Sequence, residues 1–95
     1  MLSLALLLIS WGISCDADGL KRIDGQVEEA IGPPFGLPEY LSIRDEGGAI
    51  WEFAIEPTVT FTTSHLLQHK ARFEKVTVYY RHTEAGGLSA VRMSD

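Results

Sequence analysis

Five stretches of this chain alternate apolar and polar residues, and a single helical stretch falls between the third and the fourth. That order constrains the fold more than any other feature, because alternation sends one row of side chains into a core and the other into water. In Lys21–Ile31, Ile23, Gly25, Val27 and Ile31 share one face and Arg22, Asp24, Gln26 and Glu28 the other. Gly25 inside that strand predicts a bend or bulge. The segment GPPFGLP at 32–38, with three prolines and two glycines, is a loop.

Residues 40–44 and 49–56 read as a hairpin. Leu41 and Ile43 point inward on the first arm, and Trp51, Phe53 and Ile55 on the second, with Asp45, Glu46, Gly47 and Gly48 as turn. Pro57 ends it by withdrawing a backbone donor. The β-branched stretch 58–63 is predicted to be extended. Ser64 is the predicted N-cap of SHLLQHKAR at 64–72, a helix too short to persist in water without packing. A fourth strand at 76–81 turns Val76, Val78 and Tyr80 inward, 83–87 is a turn, and a fifth strand at 88–93 alternates less regularly.

Five strands with one short helix between the third and fourth is the order of an OB-fold, a partly open Greek-key barrel. The fold class is therefore all-β with one helix, the helix plugging one barrel end through Leu66 and Leu67. A five-stranded open sheet with the helix on one face is the competing architecture. Gly25 favours the barrel, since closure requires strands to bend.

Ahead of this domain, at 20–95, the composition changes sharply. Residues 1–15 hold 11 of the 43 apolar residues and no charge, leaving 80 residues with 32 apolar and all 21 charges, an ordinary globular composition. The apolar run at 2–14 is 13 residues long, which suits a signal-peptide core and falls short of the roughly 20 residues of a membrane span. Cys15 follows it directly, before the polar stretch DADG. This resembles a bacterial lipoprotein signal, in which such a cysteine is lipidated, although Gly12 stands where that signal has Leu and Ile13 is bulky. Asp16 then resembles the residue that retains such proteins at the inner membrane. Alternatives are cleavage near Ala17 or an uncleaved anchor. A lone cysteine makes no internal disulfide, so the domain is held by packing.

The succession IDGQV, YLSIRDEGGAIWEFAI, SHLLQH, KVTVYYR and GGLSAVRMSD resembles small exported bacterial proteins of uncharacterised function that share an OB-like barrel. The resemblance covers most of 23–95 and implies a fold and a periplasmic or membrane-anchored location. The chain departs from that pattern at 73–75, where a glycine-containing turn is expected and Phe73, Glu74 and Lys75 stand instead.

The one constellation with metal-like spacing is His65 and His69, four residues apart and so on one side of the helix. His82 is the third histidine available, and zinc or copper suits imidazole ligands. Metalloprotease chemistry is excluded, because Leu66 stands where a HExxH motif places its glutamate. No nucleophile motif or phosphate-cradling loop is present, so the chain reads as a non-enzyme. Nucleic acid is disfavoured by charge: 16–56 holds 10 acidic and 3 basic residues, a net of minus 7 over the strands that form an OB-fold's binding platform. Trp51 and Phe53 accordingly read as core. Residues 57–95 hold 3 acidic and 5 basic residues, a net of plus 2, where Lys70, Arg72, Lys75 and Arg81 offer either a patch for an anionic surface or a solvated mixed face. The leading expectation is an envelope-localised binding or accessory module for an unidentified protein or small ligand, attached to the membrane through its N-terminal segment. A metal-binding envelope protein is the alternative. A cytoplasmic nucleic-acid-binding barrel is the third.

Overall fold

The computed structural model describes residues 19–95; the apolar run at 2–14 and Cys15 lie outside the described residues. The elements are β1 (Lys21–Ile31), β2 (Tyr40–Arg44), β3 (Ile50–Ile55), α1 (Thr63–Arg72), β4 (Lys75–His82) and β5 (Leu88–Ser94). The strands close into a barrel in the order β1-β2-β3-β5-β4, with β4 returning to β1. Neighbours are antiparallel except β3 and β5, which run parallel with Ala54 opposite Ser89 and Ile55 opposite Ala90. This is a five-stranded OB-like barrel, and its closure excludes the open sheet.

β1 serves two neighbours. Lys21 to Gln26 pair with β4, and Gln26 to Ile31 pair with β2. At this handover a Cβ on Gly25 would collide with Ile43 and lie 2.5 Å from the Arg44 carbonyl oxygen, so close backbone approach is what requires glycine here. The bulge expected at Gly25 comes three residues later. Val27 lies opposite Ile43 and Glu29 opposite Ser42, which leaves Glu28 as the extra residue. An extra residue reverses the phase of everything beyond it. Ala30 is therefore buried, and Ile31, predicted to face inward, is 53% exposed. A second bulge explains the irregular fifth strand. Tyr79 lies opposite Arg92 and Tyr80 opposite Ala90, so Val91 is extra, and Ser89, Ala90 and Met93 are all buried.

The core is built around Leu41, Ile43, Leu66, Val76 and Val78, all fully buried, with Val27, Phe53, Val59, Tyr80 and Met93 around them. Phe53 meets Tyr80 edge-on at 5.5 Å between ring centroids. Trp51 is half-buried against the same core and its indole N–H donates to Asp45 at 2.9 Å, so this aromatic pair packs inward. Leu66 plugs the barrel end, whereas Leu67, expected beside it, is 39% exposed. Adjacent helical residues are turned about 100° apart, so a ten-residue helix crossing a narrow barrel end inserts one of the two. Residues 58–63 do not form a strand: 57–58 is a turn, and the following segment drops Val59 into the core before the helix starts.

Candidate metal centre

Both ends of α1 are fixed by contacts outside it. Its N-cap is Thr62, two residues before the predicted Ser64, and the Thr62 hydroxyl accepts from the His65 N–H at 3.1 Å. The β1–β2 loop completes the cap: the Thr63 N–H donates to the Gly36 carbonyl at 3.0 Å and the Ser64 N–H to the Pro34 carbonyl at 2.9 Å. With those carbonyls satisfying the first donors, the cap shifts upstream of Ser64.

At the other end Phe73 adopts a left-handed conformation, φ 58° and ψ 34°. It opens the 73–75 segment where a glycine-containing turn is expected. The Phe73 N–H donates to the Lys70 carbonyl at 3.2 Å and the Glu74 N–H to the His69 carbonyl at 3.0 Å. These two bonds are the Schellman pattern, so the turn forms here with a phenylalanine, a residue left 76% exposed.

His65 and His69 lie one helical turn apart, as their spacing predicts, with ring centroids 4.8 Å apart. The third group they meet is Asp95 and not His82. One Asp95 oxygen, Oδ2, lies 2.9 Å from His65 Nε2 and 3.0 Å from His69 Nε2, and the two Nε2 atoms are 3.2 Å apart. Among the described residues these three form a group with ligand atoms close enough to hold one ion. The topology explains the substitution. α1 ends where β4 begins, and antiparallel pairing of β4 with β5 sets Ser94 opposite Thr77, bringing Asp95 beside the start of β4. His82 stands seven residues further along β4, about 23 Å away at the rise of a strand, against Tyr80 and opposite Leu88.

Sequence reasoning missed Asp95 and Glu74, and both were accessible to it in principle. Counting back from the 83–87 turn places the last residues of β5 beside the first of β4. A Schellman end returns the second residue after the helix toward the last turn. Glu74 Oε1 lies 3.1 Å from His69 Nδ1, an atom that is itself buried and has no well-aligned hydrogen bond. Phe61 walls the pair, edge-on to His65 at 4.6 Å and parallel to His69 at 6.4 Å. The His69 side chain is 12% exposed, against 42% for His65 and 44% for Asp95, so the cluster has one mostly covered arm and two that solvent reaches. Hydrogen bonding to His65 first, and to His69 next, holds the Asp95 carboxyl below its ordinary range. Asp95 also borders a groove of about 610 Å³ with Arg22, Asp24, Glu46, Lys75 and Thr77.

The cations of the second half are largely engaged by acids of the first. Lys75 pairs with Glu46 at 3.2 Å, Lys70 with Glu29 at 3.7 Å, and Arg81 with Glu56 at 2.6 Å. The last pair is two-pronged, since Arg81 Nε also donates to Glu56 at 2.9 Å, and the Ser89 hydroxyl adds a bond of 2.7 Å. Arg81, then Ser89, lowers the Glu56 pKa to about 2.

No protein-family model, curated protein or solved structure matches the chain.

Proposed function

We propose that this OB-like barrel binds one divalent transition-metal ion, zinc or copper, through His65 Nε2, His69 Nε2 and Asp95 Oδ2. A single observation carries the reading: the three donor atoms form a triangle with sides of 2.9, 3.0 and 3.2 Å. Tetrahedral zinc with bonds of about 2.0–2.1 Å separates its ligand atoms by about 3.4 Å, so the triangle needs to widen by only a few tenths of an ångström. An ion held this way keeps a fourth position for water or a small ligand, reached past the exposed sides of His65 and Asp95.

The imidazoles ligate through lone pairs, so each Nε2 must be free of its proton and Nδ1 must carry one. Glu74 beside His69 Nδ1 favours that tautomer, the arrangement of a carboxylate behind a metal-bound histidine. A proton on either Nε2 competes with the ion for the same lone pair, so metal affinity falls as the imidazoles are protonated.

Calorimetric titration of the chelator-treated full chain with zinc and then copper tests this. One equivalent is expected to bind, with affinity falling as pH falls, and His65→Ala and Asp95→Asn are expected to weaken it strongly while His82→Ala leaves it unchanged. No heat above background in the parent protein, or equal binding by all variants, overturns the proposal.

For its setting we propose the bacterial cell envelope, where the barrel acts as a binding module rather than an enzyme. The uncharged apolar run at 2–14 followed directly by Cys15 favours export with lipid attachment. Mass analysis and fractionation of the protein made in a bacterium test it. A membrane-bound product starting at Cys15 with added acyl mass is expected; a cytosolic chain still starting at Met1 contradicts it.

A further inference from the structure

Away from the metal cluster, a second groove of about 460 Å³ lies between β3, the end of the β1–β2 loop and the β4–β5 turn. Its apolar lining comes from Ala54, Ala85 and Leu88 beside Phe53, and its charged lining from Glu39 and Glu52 alone, without Lys or Arg. Glu52 accepts from the Tyr40 hydroxyl at 2.8 Å, which leaves its negative charge in place. Glu84 lies in the same turn as Ala85 and adds to the sign. Arg81, near the end of β4, is taken up by Glu56. A cationic ligand is attracted to such a groove and a phosphate backbone is repelled.

The groove also has a backbone edge. The Asp45 N–H donates to the Ala49 carbonyl at 3.0 Å, closing the hairpin. Hydrogen-bonded pairs recur at every second residue of an antiparallel ladder, so Ile43 with Trp51 and Leu41 with Phe53 are the next bonded pairs. The N–H and C=O groups of Ile50 and Glu52 therefore point away from β2. On that side β5 pairs with β3 only at Ala54 and Ile55, and among the described residues no strand covers Ile50 to Phe53. Unpaired strand edges recruit extended chains, and neighbouring side chains then select which ones.

We infer that this groove docks an extended cationic peptide segment, which adds a strand along Ile50 to Phe53 with basic side chains on the face of Glu39 and Glu52 and apolar ones on the opposite face, toward Phe53 and Leu88. The inference is independent of the metal reading. The probe is a fluorescein-labelled hexapeptide alternating lysine and valine, followed by anisotropy on the full chain with chelator and with zinc. Saturable binding is expected under both conditions, and none by the counterpart with glutamate for lysine or by oligothymidylate. The double variant Glu39→Lys, Glu52→Lys, checked for folding by circular dichroism, is expected to weaken binding by about tenfold or more. Should that variant not fold, Glu39→Gln with Glu52→Gln is expected to weaken it by roughly threefold. N-methylation of alternate peptide amides, in the phase that faces β3, is expected to cost about tenfold. Binding of the acidic peptide or the oligonucleotide, or an affinity unchanged by the Glu substitutions or by N-methylation in either phase, overturns the inference.

Discussion

Two carboxylates at opposite ends of the β4–β5 pair each gather side chains from other elements, and they are completed differently. Glu56 is met by Arg81 and Ser89, so a permanent cation and a hydroxyl fill its oxygens. Asp95 is met by two imidazoles, which carry no obligatory charge. The Glu56 group is closed within the protein, and the Asp95 group is left with donor atoms that a cation from solution can bridge. Comparable distances therefore give a structural clamp in one place and a candidate receptor in the other.

The Asp95 group responds most strongly to substitution. His69→Ala removes the most enclosed of the three ligands and is expected to reduce zinc affinity by about 100-fold or more, read by competition with a chromophoric chelator. Glu74→Ala leaves all three ligands in place and removes the carboxylate behind His69, so a loss of about tenfold is expected. Unchanged affinity in that variant would show that Glu74 does not position the imidazole.

The closed member is addressed through stability. A carboxyl whose folded pKa is lowered stabilises the fold above its unfolded value and loses that contribution as pH falls toward the folded one. For Glu56 the window runs from about 4.5 down to about 2. Glu56→Gln is expected to lower the melting temperature at pH 7 by roughly 4–8 °C and to flatten its decline across that acid window, measured by circular dichroism. A variant melting curve that declines in parallel with the parent's would remove Glu56 as the source. The smallest effect concerns the turn behind the metal cluster. A non-glycine residue in the left-handed region costs roughly 1–2 kcal/mol, and glycine gives back part of that through its freer unfolded chain. Phe73→Gly is thus expected to stabilise by under about 1 kcal/mol in urea unfolding, with metal affinity unchanged because the hydrogen-bond pattern persists.

How far the sequence carried follows from the physics of each region. Alternation is a direct record of burial, so β2, β3 and β4 were legible with their inward residues, as was the helix that separates β3 from β4. Alternation has no means of announcing an inserted residue. Glu28 reverses the phase in β1 and Val91 in β5, which is why Ile31 was misplaced and the fifth strand read as irregular. The cap at Thr62 depends on carbonyls of Pro34 and Gly36, more than twenty residues away. Helical periodicity brought His65 and His69 together from spacing alone. The third member belongs to a different element and follows from strand pairing, so composition pointed to His82 while the register supplied Asp95.

The parallel contact between β3 and β5 spans only two residue pairs, while the other seams of the barrel are longer. Local opening begins where the fewest bonds must break at once. The Glu56 N–H, which donates to Ala90 at 2.9 Å, sits at that hinge, with the Arg81 clamp on the same residue acting as its latch. The barrel can then part along this line while β1, β2 and β4 stay joined, which makes it the natural place for deuterium to enter first.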